Sequence, residues 1–155
     1  MIEGLDKIRL LRIVALLSRA ERGDANLNRQ VFLALGGYFE RVLANKQAQT
    51  YALEPRWSDG TSTPLFMTFT QSLDTITAEL DRRKIPWSIK GSANQDDYSK
   101  RFYLGSVFDQ EMELYRSRSG KTPALALCGA LCRMLAASAP EELPQADPDQ
   151  SVKAE

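Results

Sequence analysis

The chain has 155 residues, of which 43% are hydrophobic and 26% charged, as expected for one globular domain with a sizeable core. Its 20 basic and 20 acidic residues cancel, which argues against a protein dominated by electrostatic binding to nucleic acid or to membranes. The absence of histidine excludes Ser-His-Asp and Cys-His catalysis, imidazole acid–base chemistry and His metal ligation. Carboxylates alone would have to perform any catalysis, so a non-enzymatic role without catalytic residues or a cofactor is favoured.

Residues 5–22 predict an amphipathic helix that ends at Gly23. Its apolar face is predicted to centre on Leu5, Ile8, Leu11, Ala15 and Leu16 and to be widened by Leu10, Ile13, Val14 and Leu17. Arg9 and Arg12 interrupt the apolar run, so we expect neither a signal peptide nor a membrane span, and a cytoplasmic location is the default. A basic amphipathic helix can also lie on a membrane. Packing on the core or on a partner subunit is preferred, and this helix is the predicted surface for homo-oligomerisation.

Three segments follow before the period of the apolar residues changes after Pro86. Asp24, Asn26 or Asn28 can cap a second helix that runs to about Leu35. Residues 38–57 are predicted to be irregular with one or two short strands, and residues 58–64 to form a loop. The stretch 65–70 is rich in β-forming residues, and Ser72 then caps a third helix that reaches about Arg83.

After Pro86 the apolar residues recur with a period of two, which indicates strands. Trp87 and Ile89 share one face of a first strand that ends at Gly91, and residues 92–98 form a turn or loop. Residues 102–107 predict a second strand, and residues 112–115 a third that ends near Arg116. Short turns between neighbouring strands predict an antiparallel meander.

Residues 122–137 predict the central helix of the protein. Thr122 is its N-cap, Pro123 occupies the first helical position, and Arg133 is the one charged residue in an otherwise apolar run. A helix that is apolar nearly all round must be covered on several sides. Cys128 and Cys132 lie one turn apart within it, and buried inert thiols are preferred over a redox or metal pair, since two thiols are too few for structural zinc. Residues 139–155 read as a flexible tail after a single domain of residues 1–138.

The predicted fold class is α+β: a small antiparallel sheet of roughly three to five strands covered by about four helices, like an α/β/α sandwich. Four stretches resemble the phage ABA sandwich domain family, small phage and prophage proteins of unknown function. These stretches are residues 10–36, residues 63–77, Trp87 before the meander, and residues 121–135. The resemblance implies a phage or prophage origin and a small accessory role, and it brings no catalytic residues.

The order helix, three-stranded meander, helix also resembles a double-stranded RNA-binding domain. That domain holds phosphates with a cluster of lysines at the start of its last helix, whereas here only Lys121 stands there, followed by Pro123 and Ala124. RNA or nucleotide binding is therefore the alternative function, and nucleic acid is not the expected partner.

One cluster suggests a ligand site. Arg116, Arg118, Lys121 and Thr122 surround the turn with Ser119 and Gly120 before the central helix, where backbone N–H groups and the helix dipole favour an anion. The alternative is a solvated connection whose arginines pair with surface acids. The sequence thus predicts a non-enzymatic accessory protein that binds a protein or a small anionic ligand, without a metal.

Overall fold

The computed structural model describes residues 7–57, 67–91 and 102–138. Within these ranges the chain forms four α-helices and five β-strands: α1 Lys7–Arg19, α2 Ala25–Ala34, β1 Gly37–Asn45, β2 Thr50–Trp57, α3 Leu73–Arg82, β3 Trp87–Gly91, β4 Tyr103–Asp109, β5 Leu114–Gly120 and α4 Pro123–Ser138. The described strands make two antiparallel sheets, β1-β2 and β3-β4-β5. The predicted α+β class is confirmed. None of the described helices has the length and apolar character needed to cross a bilayer.

Helix α4 forms the centre of the core, as predicted. The hydroxyl of Thr122 accepts a hydrogen bond from the Leu125 N–H at 3.1 Å, and Pro123 is the first helical residue. Every residue from Ala124 to Cys132 is buried. One side of the helix packs on the meander β3-β4-β5 and another on α1, so this helix is covered on several sides.

Two glycines let the meander approach α4 at backbone distance. A Cβ built on Gly105 of β4 would lie 2.6 Å from the carbonyl carbon of Ala126, and one on Gly120 would lie 2.8 Å from the Ala126 nitrogen. Next to Gly105 on the same face of β4, Val107 is fully buried. Because backbone cannot move aside as a side chain can, glycine is required for this packing.

The buried face of α1 differs from the predicted one. Its buried residues are Leu10, Ile13, Val14 and Leu17, whereas Ile8, Leu11 and Ala15 are exposed. Both stripes are apolar, but the outer one shares its side of the helix with Arg12 and Arg19, which cannot enter a core unpaired. Leu5 lies outside the described residues.

Helix α3 begins at its predicted cap, Ser72, and α2 begins at Asp24, one of its three candidate caps. The segment 67–71 between β2 and α3 is a turn, although its residues favour strands. The Asn28 side chain accepts hydrogen bonds from the Thr70 N–H at 2.8 Å and from the Thr70 hydroxyl at 2.5 Å. These buried hydrogen bonds satisfy polar groups of Thr70 that a neighbouring strand could otherwise pair with, and they hold the turn against α2.

Residues 38–57, predicted to be irregular with one or two short strands, form most of a two-stranded hairpin, with Gly37 paired to Trp57 and Leu43 to Tyr51 and an irregularity between Leu43 and Asn45. Only the base of this hairpin enters the core, where the ring of Phe32 contacts those of Phe39 and Trp57 at centroid distances of 5.4 and 4.8 Å. Pro55 is tolerated because β2 pairs on one side only, so its missing N–H breaks no second ladder.

Candidate functional site

The outer face of the meander, which is turned away from α4, is the main candidate binding surface. Side chains alternate along β4: Gly105, Val107 and Asp109 are buried, whereas Leu104 is exposed and Ser106 and Phe108 are partly exposed. The register continues this face across the neighbouring strands through Ser88 and Lys90 of β3 and Tyr115, Ser117 and Ser119 of β5.

Three cross-strand rows make up the outer face. A central row of hydroxyls runs through Ser88, Ser106 and Ser117, and the Ser106 and Ser117 oxygens lie 2.7 Å apart. On one side of it, Phe108 and Tyr115 form an edge-to-face pair with ring centroids 5.0 Å apart. Lys90 and Leu104 lie on the other side. The polar centre is therefore bordered by an aromatic pair and an apolar–cationic pair.

A shallow depression of about 280 Å³ lies on this face, lined by Ser88, Lys90, Leu104, Ser106 and Tyr115. Its hydroxyl groups can donate or accept hydrogen bonds, and its one cation can attract a carboxylate or phosphate. Its described lining thus combines hydroxyl groups, one ammonium group and apolar surface, which can recognise a partner.

The two arginines of the predicted anion site point to the inner face of the meander. Strand β5 extends to Gly120 rather than ending near Arg116, because β5 pairs with β4 as far as Tyr103. Arg116 Nε donates to the buried carboxylate of Asp109 at 3.3 Å. Arg118 reaches past Gly129 of α4 and donates through Nη2 to the Ser18 hydroxyl at 2.8 Å. Both guanidinium groups are thus directed away from the start of α4.

Thr122 is the predicted anion-site residue that lies at the helix start, beside a depression of about 270 Å³ that also includes Arg22, Gln71 and Pro123. Its hydroxyl caps α4, and the Gln71 side chain accepts from the Asn28 amide at 2.7 Å. Lys121 follows β5 and does not line this depression. The structure does not bring the four residues together, and anion binding at this turn stays a prediction.

Both cysteines are fully buried in α4. Burial raises the pKa of Cys132 to about 12, and Arg83 opposes this only in part. Burial also raises the pKa of Cys128 well above its usual value, with a contribution from Cys132, and the Cys128 thiol donates to the Phe69 carbonyl at 3.2 Å. Thiols that stay protonated are poor nucleophiles and poor metal ligands. The described residues contain no group of metal-ligating side chains.

Sequence patterns predicted the alternation of β4 but did not single out its outer face as a candidate site. The signal was present as a repeated serine opposite the buried positions, with an aromatic residue at one end. It was ambiguous because a solvated sheet face also alternates polar and apolar residues. Only the strand register shows that Ser88, Ser106 and Ser117 line up across the sheet.

Comparison with known proteins supplies no relative: no family model matches the chain, and no curated protein or solved structure gives a significant match. The resemblance to the phage ABA sandwich domain therefore stays a prediction.

Proposed function

We propose that this chain is a non-enzymatic interaction module, an accessory protein of phage or prophage type, that docks a protein partner on the outer face of the meander. One observation carries the proposal: no described element covers this face, yet Leu104 and Tyr115 are exposed on it beside the serine row. An antiparallel sheet with one solvated face normally presents polar side chains there. Exposed apolar and aromatic side chains around a depression are typical of interaction sites.

The module is also proposed to self-associate through α1. Ile8 and Leu11 are 66% and 45% exposed, although they belong to an ordered helix whose opposite side is fully packed. Such a second apolar stripe is a usual feature of helices that contact another subunit.

The test of the docking surface compares two matched double variants. Leu104→Lys with Tyr115→Ser alters the outer face of the meander, and Leu53→Lys with Tyr51→Ser makes the same changes on exposed positions of the hairpin. Proteins that bind each purified variant are enriched from a lysate of the source cells and quantified against wild type. The affinity of each enriched protein, once purified, is then measured by calorimetry.

We expect at least one partner whose affinity falls about tenfold or more with the meander variant and is unchanged with the hairpin variant, since a few central side chains dominate interface energetics. If the meander variant retains every partner at wild-type affinity, the outer face is not the docking surface. Loss of binding with both variants would place the interface elsewhere or show a general effect on folding, which thermal melts resolve.

RNA binding is a second candidate because the elements α3, β3-β4-β5 and α4 follow the order of a double-stranded RNA-binding domain. Fold order alone does not confer function, and Lys90 is the one charged residue on the strand positions of the outer face. Fluorescence anisotropy with short single- and double-stranded RNA at low and high salt tests this candidate. Binding that weakens steeply with salt and is lost with Lys90→Ala would favour it over protein docking.

A further inference from the structure

The exposed stripe of α1 carries charge as well as apolar surface. Ile8, Leu11 and Ala15 lie opposite the buried stripe, and Arg12 and Arg19 flank them on the same side of the helix. Neither arginine forms an ion pair with any residue that the structure describes. The stripe therefore combines apolar side chains with two positive charges that lie seven residues, or about 10 Å, apart along the helix.

Helix α3 presents the opposite arrangement. Ile76, Glu79 and Leu80 face the core, which leaves Asp74, Ala78 and Asp81 on the opposite, exposed side, whereas Leu73 lies at the edge of the buried face. Among described residues Asp74 has no ion-pair partner, and Asp81 accepts a hydrogen bond from Trp87 Nε1 at 3.1 Å. This side of α3 therefore carries two negative charges around the small residue Ala78, and the neighbouring Arg82 is paired with Glu79.

The two stripes match in spacing as well as in charge. Asp74 and Asp81 are seven residues apart, as are Arg12 and Arg19, so both pairs can meet when the helices lie side by side. Small residues stand between the charges, Ala15 on α1 and Ala78 on α3, which lets the two helices approach closely. We propose that α1 of one copy docks on α3 of a second copy. The inference rests on the proposed self-association and names the surface that receives α1.

A symmetric contact of α1 with α1 would place Arg12 and Arg19 of both copies against one another, which like charges disfavour. The contact of α1 with α3 uses two different patches of each copy. Made twice across a two-fold axis it gives a closed dimer, and made once per pair it leaves one stripe free, so that the assembly grows into a ring or a filament. The apolar side chains supply most of the affinity, and the charge pairs fix register and partner choice.

A charge-swap experiment tests the contact. The first variant, Arg12→Glu with Arg19→Glu, makes the α1 stripe acidic, and the second, Asp74→Lys with Asp81→Lys, makes the α3 stripe basic. The third variant combines all four substitutions. Molar mass is measured by light scattering on a sizing column for each protein and for an equimolar mixture of the first two.

The substitution Asp74→Lys puts a positive charge in the first turn of α3, where it opposes the helix dipole. The milder pair Asp74→Asn with Asp81→Asn therefore serves as a second α3 variant if the first folds poorly. It removes the negative charges of the stripe without adding positive ones.

We expect wild type to form a dimer or a larger assembly and the first two variants to be monomeric alone. Their mixture should reassemble, and so should the fourfold variant, since each restores opposite charges across the contact. A control reversal at two exposed basic residues of the hairpin, outside both stripes, Arg41→Glu with Lys46→Glu, should leave the mass unchanged.

A monomeric wild type overturns the proposal. A wild-type assembly that is unaffected by either α3 variant, yet is lost with the acidic α1 variant, would show that α1 contacts a different surface. Docking of a partner on the outer face of the meander is measured with the monomeric variants as well. Its loss or survival therefore tests the proposed function independently of self-association.

Discussion

The two sheets that the described residues form are both antiparallel, yet they differ in what lies beneath them. The meander rests on α4 through backbone contacts at Gly105 and Gly120. The hairpin β1-β2 has only its base in the core, where Trp57 is buried, while Leu43 and Leu53 farther along it are exposed. Residues of high strand propensity therefore form both sheets, but only the meander is joined to the cooperative core by buried contacts along its length.

The same contrast holds for arginine–carboxylate pairs. Arg116 of the meander pairs with Asp109, whose side chain is 5% exposed. Arg56 of the hairpin bridges Glu40 at 3.0 Å and Glu54 at 2.9 Å, and all three side chains are well exposed. A buried carboxylate that loses its partner is costly, whereas exposed pairs are worth little because water competes for both charges. The predictions below test this difference between the two sheets.

The largest effect is expected from Gly105→Ala. The new Cβ would lie within 3 Å of the backbone of Ala126 and Leu127, so β4 and α4 would have to separate. We expect a loss of about 3 kcal/mol or more, or failure to fold. Gly91→Ala at the end of β3 is the matched control, since its Cβ would meet the Tyr103 ring at an ordinary 3.7 Å. Urea unfolding of the two variants checks the prediction, and equal losses would show that the close approach is unimportant.

Arg116→Ala should cost about 2 kcal/mol, because it leaves Asp109 buried without its ion-pair partner. The carboxylate would keep its bonds from the backbone N–H groups of Glu111 and Met112, which limits the loss. Arg133→Ala is the control, an exposed arginine that donates to the Ser117 carbonyl of the same sheet, and should cost much less. Chemical denaturation measures both, and a loss for Arg133→Ala as large as that for Arg116→Ala would contradict the burial argument.

Sequence patterns were most reliable where the determinant is local. The caps Asp24, Ser72 and Thr122 satisfy N–H groups three residues ahead, so the starts of three helices could be predicted from neighbouring residues. The pairing of the hairpin strands could not be predicted from neighbouring residues, because it depends on contacts between residues far apart, such as Phe32 with Trp57. The turn at Thr70 was hidden for the same reason, since Asn28 holds it from 42 residues away.

The directions of Arg116 and Arg118 at the predicted site could not be predicted from the sequence, because the direction of a side chain depends on strand length. With β5 ending near Arg116, Arg118 would lie in a loop and could turn toward the helix start. Because β5 continues to Gly120, the alternation of side chains along the strand places Arg116 and Arg118 on the inner face of the sheet. There Arg116 donates to Asp109, and Arg118 donates to Ser18 of α1. No local signal distinguishes the two cases, since Ser, Gly and Arg occur in loops and in edge strands alike.

The third predicted effect on stability concerns the two cysteines in the core beneath the meander, and it occurs only in alkaline solution. Burial raises the pKa of Cys132 to about 12, from about 9 for a free thiol, and raises that of Cys128 as well. The unfolded chain therefore releases its thiol protons at lower pH than the folded chain, and stability falls as pH rises from about 9 toward 12. Cys128→Ala with Cys132→Ala should flatten this slope. Urea unfolding at several alkaline pH values checks it, and parallel slopes for both proteins would contradict the assignment.

The smallest effect is expected at Arg56, on the hairpin. Arg56→Ala removes both of its ion pairs, yet each partner is about half exposed and is rehydrated at once. We expect a loss below about 1 kcal/mol at low salt and less at high salt, where screening weakens the wild-type pairs. Because the outer hairpin is only loosely tied to the core, the change should appear in the exchange rates of the hairpin amides and not in those of β4. Hydrogen exchange followed by mass spectrometry resolves the two sheets. Slowly exchanging hairpin amides in wild type, protected as strongly as those of β4, would show that both sheets belong to one cooperative unit and would break the comparison.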